Sequence, residues 1–369
     1  MSKYVDELKD ELEEELNVED QASEDEPEPV SRYDITSYGI DFDVDGLVKR
    51  IGRGDVFIPP FQRNFVWKIT ESSRFIESLL LGLPVPGIFL AQEAETGKML
   101  VIDGQQRLLS LLYFFRGVFN PIDGEAKQRV FKLSNVQPQY DGKTIEDLDS
   151  KSRMNLENCV IHATVVKQDA PAEDDTSIYH IFERLNSGGR KLSPQEIRTA
   201  VYHGDFIDKV FNLNSHPSWR KIYGKVNDRM KDQELIIRYF AMLENCTTYE
   251  APMKEFLNKF ARKHRRDKDK KIDEYSNYFK QCCDVFLDAI ASRPFRRVVA
   301  INVAVYEAAM VALTEKIKRD GMPNKEFVAG RYQALMNDAN FQANVSQSTG
   351  SKASVLTRIE IAKNIFLAD

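Results

Sequence analysis

The amino-acid sequence predicts an α+β protein, an N-terminal α/β domain followed by an all-helical one. Three observations carry this. Up to about Gly204, short apolar runs alternate with helical patterns and are punctuated by glycine and proline. Beyond Gly204 the glycine and strand signals fade, and long helical patterns follow at roughly 229–244, 251–263, 272–291, 296–318, 325–336 and 353–366. The first thirty residues are of a different character: thirteen carboxylates against two lysines give a net −11 in a chain whose total is −6, leaving +5 for the rest. The expected domains are an acidic, largely disordered tail (1–32), an α/β domain (33–204) and a helical domain (205–369). No internal repeat is apparent.

In the tail, Val5, Leu8, Leu12 and Leu16 fall at spacings of three or four, which reads as a short charged helix. Gln21 to Val30 is rich in Glu, Asp and Pro and reads as linker. Such a charge block is a solubilising segment, a partner-docking helix, or an acidic cover for the basic body. In the next domain, Val44 to Ile51 suggests a helix ending at Gly52-Arg53-Gly54, followed by an extended stretch, Asp55 to Ile58. Residues 71–81 read as an amphipathic helix capped by Thr70 and closed by Gly82. Gly87 to Ala91 and Met99 to Ile102 read as strands of one hairpin about Glu95-Thr96-Gly97. After Asp103-Gly104, residues Leu108, Leu109, Leu111, Leu112 and Phe115 mark a helix, with Asp103 and Gln106 as a D-x-x-Q capping box. Residues 120–150 are polar and turn-rich. Cys159 to Val166 reads as a strand, Ile178 to Leu185 as a helix leaving through Gly188-Gly189, and Ser193-Pro194-Gln195-Glu196 as a helix start.

Composition narrows the chemistry. With 42% hydrophobic and 29% charged residues the chain reads as an ordinary globular protein. No run approaches the roughly 18–20 apolar residues needed to span a bilayer. Met1-Ser2-Lys3-Tyr4 opens into acidic sequence, so no signal peptide is expected and a cytoplasmic location is. The four cysteines (Cys159, Cys246, Cys282, Cys283) have no C-x-x-C spacing, which fits a reducing compartment and not a zinc site. The five histidines (His162, His180, His203, His216, His264) are scattered.

Three polar clusters interrupt apolar sequence at turns or helix ends: Gln62-Arg63-Asn64, Asp103-Gly104-Gln105-Gln106-Arg107 and Asn186-Ser187-Gly188-Gly189-Arg190. Arginines, amide side chains and glycine-freed backbone N–H groups suit a polyanion such as a triphosphate, seated at a helix N-terminus. Asp103 suits a magnesium ion or a positioned water. The bland alternative for Asp103 to Arg107 is a well-capped core helix. No G-x-x-x-x-G-K-[ST] exists, which excludes a P-loop enzyme. Between Arg262 and Lys271 lie seven Lys/Arg against two Asp, with Arg293, Arg296 and Arg297 further on. Arg262, Lys263, Arg265 and Arg266 are therefore candidates for phosphate-backbone contact with DNA, against the reading of a solvated linker. Phe65, Trp67 and Trp219 are possible base-stacking residues, although their apolar surroundings favour the core.

The sequences I-P-P-F-Q-R-N-F-V-W (Ile58–Trp67), L-V-I-D-G-Q-Q-R-L-L-S-L (Leu100–Leu111) and I-F-E-R-L-N-S-G-G-R-K-L-S-P-Q-E-I-R (Ile181–Arg198), in that order, resemble the family called domain of unknown function 262. This is the N-terminal domain of GmrSD-type modification-dependent restriction systems, placed near the ParB and sulfiredoxin superfamily. The resemblance covers about residues 40–245, and Met230 to Arg238 also resembles a helix typical of the family. It implies a ParB/sulfiredoxin-like domain that binds and often hydrolyses a nucleoside triphosphate with Mg2+, in defence against modified foreign DNA. It makes Asp103, Gly104, Gln105, Gln106 and Arg107 the nucleotide-handling motif. It places Gln62 and Arg63 in a Q-R element and Asn186, Gly188 and Gly189 in an N-x-G-G element, all expected at the nucleotide. By residue chemistry Asp103, Gln106 and Arg107 are the catalytic candidates, with Asp103 also the metal ligand. Glu196 and Arg198 are weaker candidates. Where sulfiredoxins place a reactive cysteine this chain has none, which argues against sulfur chemistry. No histidine cluster of an HNH nuclease is evident, so a nuclease subunit in trans is expected. The resulting expectation is an NTP-hydrolysing regulatory protein that couples nucleotide state to DNA sensing. The alternatives are a non-hydrolysing DNA- or protein-binding switch module and, further off, a metal-dependent nickase.

Overall fold

A computed structural model describes residues 18–19, 34–58, 65–93, 96–121, 128–170, 176–185, 192–266, 270–290, 294–296 and 300–368. The chain divides into two compact units. One comprises Val30–Leu192 with Thr199–Val201; the other comprises Met1–Pro29, Ser193–Arg198 and Tyr202–Asp369. The α+β class expected from the sequence is what the structure shows. The helix and linker expected within residues 5–16 and 21–30 lie outside the described residues.

In chain order the elements begin with β1 (Val18–Glu19), β2 (Asp34–Asp43), α1 (Val44–Arg53), β3 (Val56–Phe57), α2 (Ile69–Leu80), β4 (Ile88–Gln92), β5 (Met99–Asp103) and α3 (Gln105–Arg116). There follow α4 (Ser150–Glu157), β6 (Val160–Ala170), α5 (Thr176–Leu185), α6 (Pro194–Val201), α7 (Asp205–Asn214), α8 (Pro217–Tyr223), α9 (Lys231–Asn245), α10 (Met253–His264) and α11 (Lys271–Ala289). The chain closes with β7 (Ile301–Asn302), α12 (Val303–Asp320), α13 (Lys325–Asn337), α14 (Ala339–Asn344) and α15 (Lys352–Leu367).

The first unit is built on a five-stranded mixed sheet of order β2-β6-β4-β5-β3. β2 runs antiparallel to β6, β6 parallel to β4, β4 antiparallel to β5, and β5 parallel to β3. The hairpin expected between Gly87 and Ile102 is the β4–β5 pair. Alternation along the strands turns Phe42, Leu90, Val101, Ile161, Ala163 and Val165 to one face. The apolar stripes of α1, α2 and α3 join the same core through Leu47, Ile76, Leu79, Leu108 and Leu111.

Directionality fixes what meets at one end of this sheet. The C-terminal ends of β5 and β3 lie there with the N-terminal ends of β4 and β6 and the C-terminal end of β2. Two helix starts differ from expectation. α2 begins at Ile69, not after a Thr70 cap, because the Glu71 carboxylate reaches back to accept the Lys68 N–H at 2.7 Å. α12 begins at Val303, not near 296, because Asn302 Oδ1 accepts the Val305 N–H at 3.0 Å and sets the start there. The helix α4, in and after the stretch that reads as turns, is capped by Asp149, which accepts from the amides of Lys151 and Ser152.

In the second unit α9 and α12 are buried on most of their surface, and α9 carries charges into the interior. The carboxylates are bracketed by arginines from several elements. Arg198 reaches Glu234 (3.3 Å), Glu234 pairs with Arg238 (2.9 Å), Arg238 reaches Glu307 (3.4 Å), and Glu307 pairs with Arg358 (2.6 Å). Such a chain stands because each charge has partners on both sides; removal of one would leave another buried and uncompensated. β1 pairs in parallel with β7, adding Val18–Glu19 to this unit.

A second buried carboxylate, Glu244, receives Lys263 Nζ at 2.5 Å, Tyr275 Oη at 3.0 Å and His264 Nε2 at 3.1 Å, with Lys271 Nζ at 3.5 Å. Burial alone would raise its pKa, but the hydrogen bonds from Lys263, His264 and Tyr275 hold it down at about 2. A carboxylate depressed in the folded state stabilises above its ordinary pKa of 4.5 and loses that contribution as pH falls toward about 2. Glu244→Gln is therefore expected to be less stable than the parent at pH 7, the gap closing between pH 4.5 and 2. Urea unfolding of both proteins across that range measures it, and a gap independent of pH would contradict the assignment.

Candidate functional site

The site forms where β5 turns into α3. Asp103 closes the strand, and Gly104 follows with φ +100°, in the left-handed region. A Cβ on Gly104 would come within 2.4 Å of Ile88 Cγ2, so the corner needs glycine both for its backbone angle and for its closeness to β4. Gly104 itself is the N-cap. The expected capping box of Asp103 with Gln106 does not form, because the left-handed corner moves the helix start one residue on and leaves Asp103 outside it. The first helical bond runs from the Leu108 N–H to the Gly104 carbonyl, so the amides of Gln105, Gln106 and Arg107 make up the leading turn.

Each polar side chain of the motif has its own place. Arg107 Nη1 donates to the carbonyls of Pro86 (2.6 Å) and Gly87 (2.7 Å), and Nη2 donates to Asp103 Oδ2 (2.9 Å). The Arg107 side chain is only 14% exposed, whereas that of Asp103 is 46% exposed. Gln106 Oε1 accepts from the amides of Val66 (3.1 Å) and Trp67 (3.3 Å). Gln105 Oε1 is buried and meets no hydrogen-bond donor among the described residues. This corner therefore offers a half-exposed carboxylate, an unpaired amide oxygen and the leading turn of a twelve-residue helix.

Of the other expected nucleotide residues, Gln62, Arg63, Asn186, Gly188 and Gly189 lie outside the described residues. The chain enters the stretch containing Gln62 and Arg63 from β3, whose C-terminal end is the same end of the sheet as Asp103. It leaves that stretch through Val66 and Trp67, bound to Gln106. Phe65 packs edge-on against Tyr113 and Phe119, Trp67 packs against Phe75, and Trp219 is fully buried with its Nε1–H on Asn214. Trp219 is thus a core residue and not a base-stacking platform.

Glu196 and Arg198 serve the second unit. Glu196 completes a capping box with Ser193 and pairs with Arg229 at 3.3 Å. Arg198 is fully buried against Asn258, Gln195 and Glu234. Among the basic candidates, Lys263 sits on Glu244, Arg265 donates Nε–H to the His203 carbonyl at 2.9 Å, and Arg262 stands in the last turn of α10 with Arg266 just beyond it. The carbonyls of Pro86 and Gly87 and the amides of Val66 and Trp67 are partners that sequence reasoning missed. Backbone groups leave no side-chain signal; only Pro86-Gly87 before a strand could have drawn attention.

Two outcomes follow from this geometry. Arg107→Ala would strand two carbonyls and one carboxylate and is expected to cost about 2–3 kcal/mol in urea unfolding. Arg107→Lys would recover only part of this, since an ammonium cannot bridge three acceptors in a planar fork. Gly104→Ala is expected to cost about 1–3 kcal/mol, and more than Gly54→Ala, where the backbone is also left-handed but a Cβ meets nothing within 4 Å. Equal costs at the two glycines would show that the contact with Ile88 carries no weight.

Comparison with known proteins places the fold unit. An uncharacterized protein of Methanocaldococcus jannaschii is 30% identical over 142 aligned positions, covering 27% of this chain and 24% of that protein. The chain thus spans about a quarter of the length of that relative. Residues 44–203 match the family described as the GmrSD restriction endonuclease, N-terminal domain. These residues include α1 to α6, the whole Asp103 to Arg107 corner and the Asn186 to Arg190 motif. The resemblance read from the three sequence motifs therefore holds over this stretch: residues 44–203 are similar to the N-terminal domain of GmrSD-type restriction systems.

Proposed function

We propose that the corner between β5 and α3 seats the phosphates of a nucleoside triphosphate, and that the protein is an NTP-hydrolysing regulatory component of a modification-dependent restriction system. One observation carries this reading: the half-exposed Asp103 carboxylate and the unpartnered Gln105 Oε1 stand at the leading turn of α3, behind a glycine that holds the turn open. Leading amides and the positive end of the helix dipole favour an anion there.

The residues present are compatible with Mg2+. Among the described residues no group of three His, Cys, Asp or Glu could hold an ion alone. Mg2+ on a nucleotide needs only one or two carboxylates besides phosphate and water, and Asp103 supplies one. Bound there, Mg2+ would neutralise charge on the phosphoryl oxygens. The chain's own contributions are separate. The amides of Gln105 and Gln106 bind phosphate oxygens, Asp103 orients water, and Arg107 positions Asp103 through the 2.9 Å bond. Gln62, Arg63, Asn186, Gly188 and Gly189 would complete the nucleotide contacts. Arg262, Lys263, Arg265 and Arg266 would meet the DNA backbone, giving a salt-dependent, sequence-independent affinity. Cleavage would come from a nuclease subunit in trans.

A specific observation keeps a second reading in play. Most of the Arg107 guanidinium is spent on Pro86, Gly87 and Asp103, so it has little left to clamp a transferring phosphoryl group. That arrangement suits a switch module that binds nucleotide without turning it over. No helix of the described residues is long and apolar enough to cross a membrane.

The test is phosphate release from each of the four common NTPs with Mg2+, with and without DNA, beside Asp103→Asn and Gln105→Ala. Asp103→Asn is expected to lower turnover at least about 100-fold while the protein stays folded. Parental turnover in that variant would remove Asp103 from the site. Nucleotide binding with no turnover in the parent would establish the switch reading.

A further inference from the structure

The end of the sheet that carries Asp103 holds a second polar pair. Asp41 on β2 and His162 on β6 are direct cross-strand partners, and His162 Nδ1 lies 2.8 Å from Asp41 Oδ1. Ile161 and Ala163 on either side of His162 are buried, so alternation turns the imidazole to the opposite face. Its side chain is 61% exposed, and Nε2 has no hydrogen-bond partner among the described residues.

The seat of His162 is built by glycine on both neighbouring strands. A Cβ on Gly39 of β2 would meet His162 Cε1 at 2.8 Å, and one on Gly87, just before β4, would meet the His162 carbonyl at 2.8 Å. The Gly87 contact is with backbone and marks a close approach there, while the Gly39 contact is with the outer edge of the exposed ring, which can turn. A surface ion pair could form without either. Gly87 is also the residue whose carbonyl accepts Arg107 Nη1 at 2.7 Å. One glycine thus carries the motif arginine on one side and His162 on the other. The register runs Asp103 to Phe89 to Thr164, two residues beyond His162. From sheet spacings the Cα atoms of Asp103 and His162 stand roughly 12 Å apart.

We propose that His162, oriented by Asp41, is the proton acceptor for hydrolysis of a nucleotide bound at the β5–α3 corner. The inference rests on the NTP-hydrolysing reading of that corner. The separation leaves room for a terminal phosphoryl group and a water between Asp103 and His162. The water's proton passes to His162 Nε2 as its oxygen bonds to the γ-phosphorus. The bond from the γ-phosphorus to the bridging oxygen breaks, and its electron pair leaves with the nucleoside diphosphate. The exposed Nε2–H then returns its proton to solvent. Asp41 holds the tautomer with the proton on Nδ1, which leaves Nε2 free to accept.

The experiment compares the full-length parent with His162→Ala, His162→Gln and Asp41→Asn. It reads kcat from phosphate release and Kd from titration with a fluorescent NTP analogue, with Mg2+ present. Both His162 variants are expected to lose about 100- to 10,000-fold in kcat with Kd within twofold of the parent. Asp41→Asn is expected to lose less, and added imidazole to restore part of the His162→Ala rate. A folded His162→Ala or His162→Gln with parental kcat overturns the assignment, as does a loss confined to Kd. A parent that binds nucleotide and releases no phosphate overturns the hydrolytic reading and this inference with it. Turnover in the parent that is indifferent to His162 overturns this inference alone.

Discussion

The Arg107 guanidinium is the interaction on which the candidate site depends. It joins two segments of the chain: the end of β5 through the Asp103 carboxylate, and the approach to β4 through the carbonyls of Pro86 and Gly87. Carbonyls at the start of a strand have no ladder partner on that side, and a planar fork of donors satisfies two of them at once. The left-handed Gly104 makes the geometry possible, since it lets the first turn of α3 fold back close enough to β4 for the fork to reach. Gln106 adds a third segment by receiving the amides of Val66 and Trp67. The chain on both sides of the Gln62–Arg63 stretch is thereby held at one end of the sheet.

Much of this was legible in the sequence because it is local. Short apolar runs mark β4, β5 and β6, and the hairpin expected of the first two is the β4–β5 pair. Helical spacing and glycine exits mark α1, α2 and α3. The capping box at Asp103 was misread because the sequence pattern does not reveal that Gly104 takes a left-handed angle, and one residue of offset reassigns every side chain in the turn. α4 and α8 are short and give little pattern, whereas α7 does repeat Phe206, Ile207, Val210 and Leu213 at helical spacing, a signal that sequence reasoning missed. The pairing of His162 with Asp41 joins residues 121 positions apart and has no local signature. It becomes visible only once the register of β2 on β6 is known.

The helical unit shows why polar motifs need a structure before they are read as ligand sites. Within Met230 to Arg238, the residues Asp232, Glu234 and Arg238 look like chemistry. Asp232 instead accepts from Asn214 and Arg220, while Glu234 and Arg238 belong to the buried chain from Arg198 to Arg358. A buried charge is tolerated only with partners at hydrogen-bond distance, so each member constrains where the next helix must lie. Those residues specify how α6, α9, α12 and α15 pack, and that role takes up most of their hydrogen-bonding capacity, the buried Arg358 Nε excepted. Glu244 does the same for the basic segment, tying the end of α10 to the start of α11 through Lys263, His264, Lys271 and Tyr275.

Unspent hydrogen-bonding capacity marks the residues that can act only where it coincides with the open end of the sheet, since Arg220 and Arg358 also keep an unpartnered Nε in the interior of the helical unit. Arg107, Gln106, Glu196 and Arg198 are polar and occur in the motifs, yet their groups already serve backbone or buried charge. Asp103 keeps nearly half its surface open, Gln105 holds a buried oxygen without a donor, and His162 presents a ring nitrogen to solvent from a seat made by glycine. All three lie at the end of one sheet, where strand directions bring together β5, β4, β6 and β2. A scaffold that satisfies its own arginine with carbonyls can hold that arginine rigid, and a rigid arginine fixes the carboxylate beside it. On this argument Arg107 acts on a ligand through Asp103, and the chemistry of the site resides in the groups it leaves open.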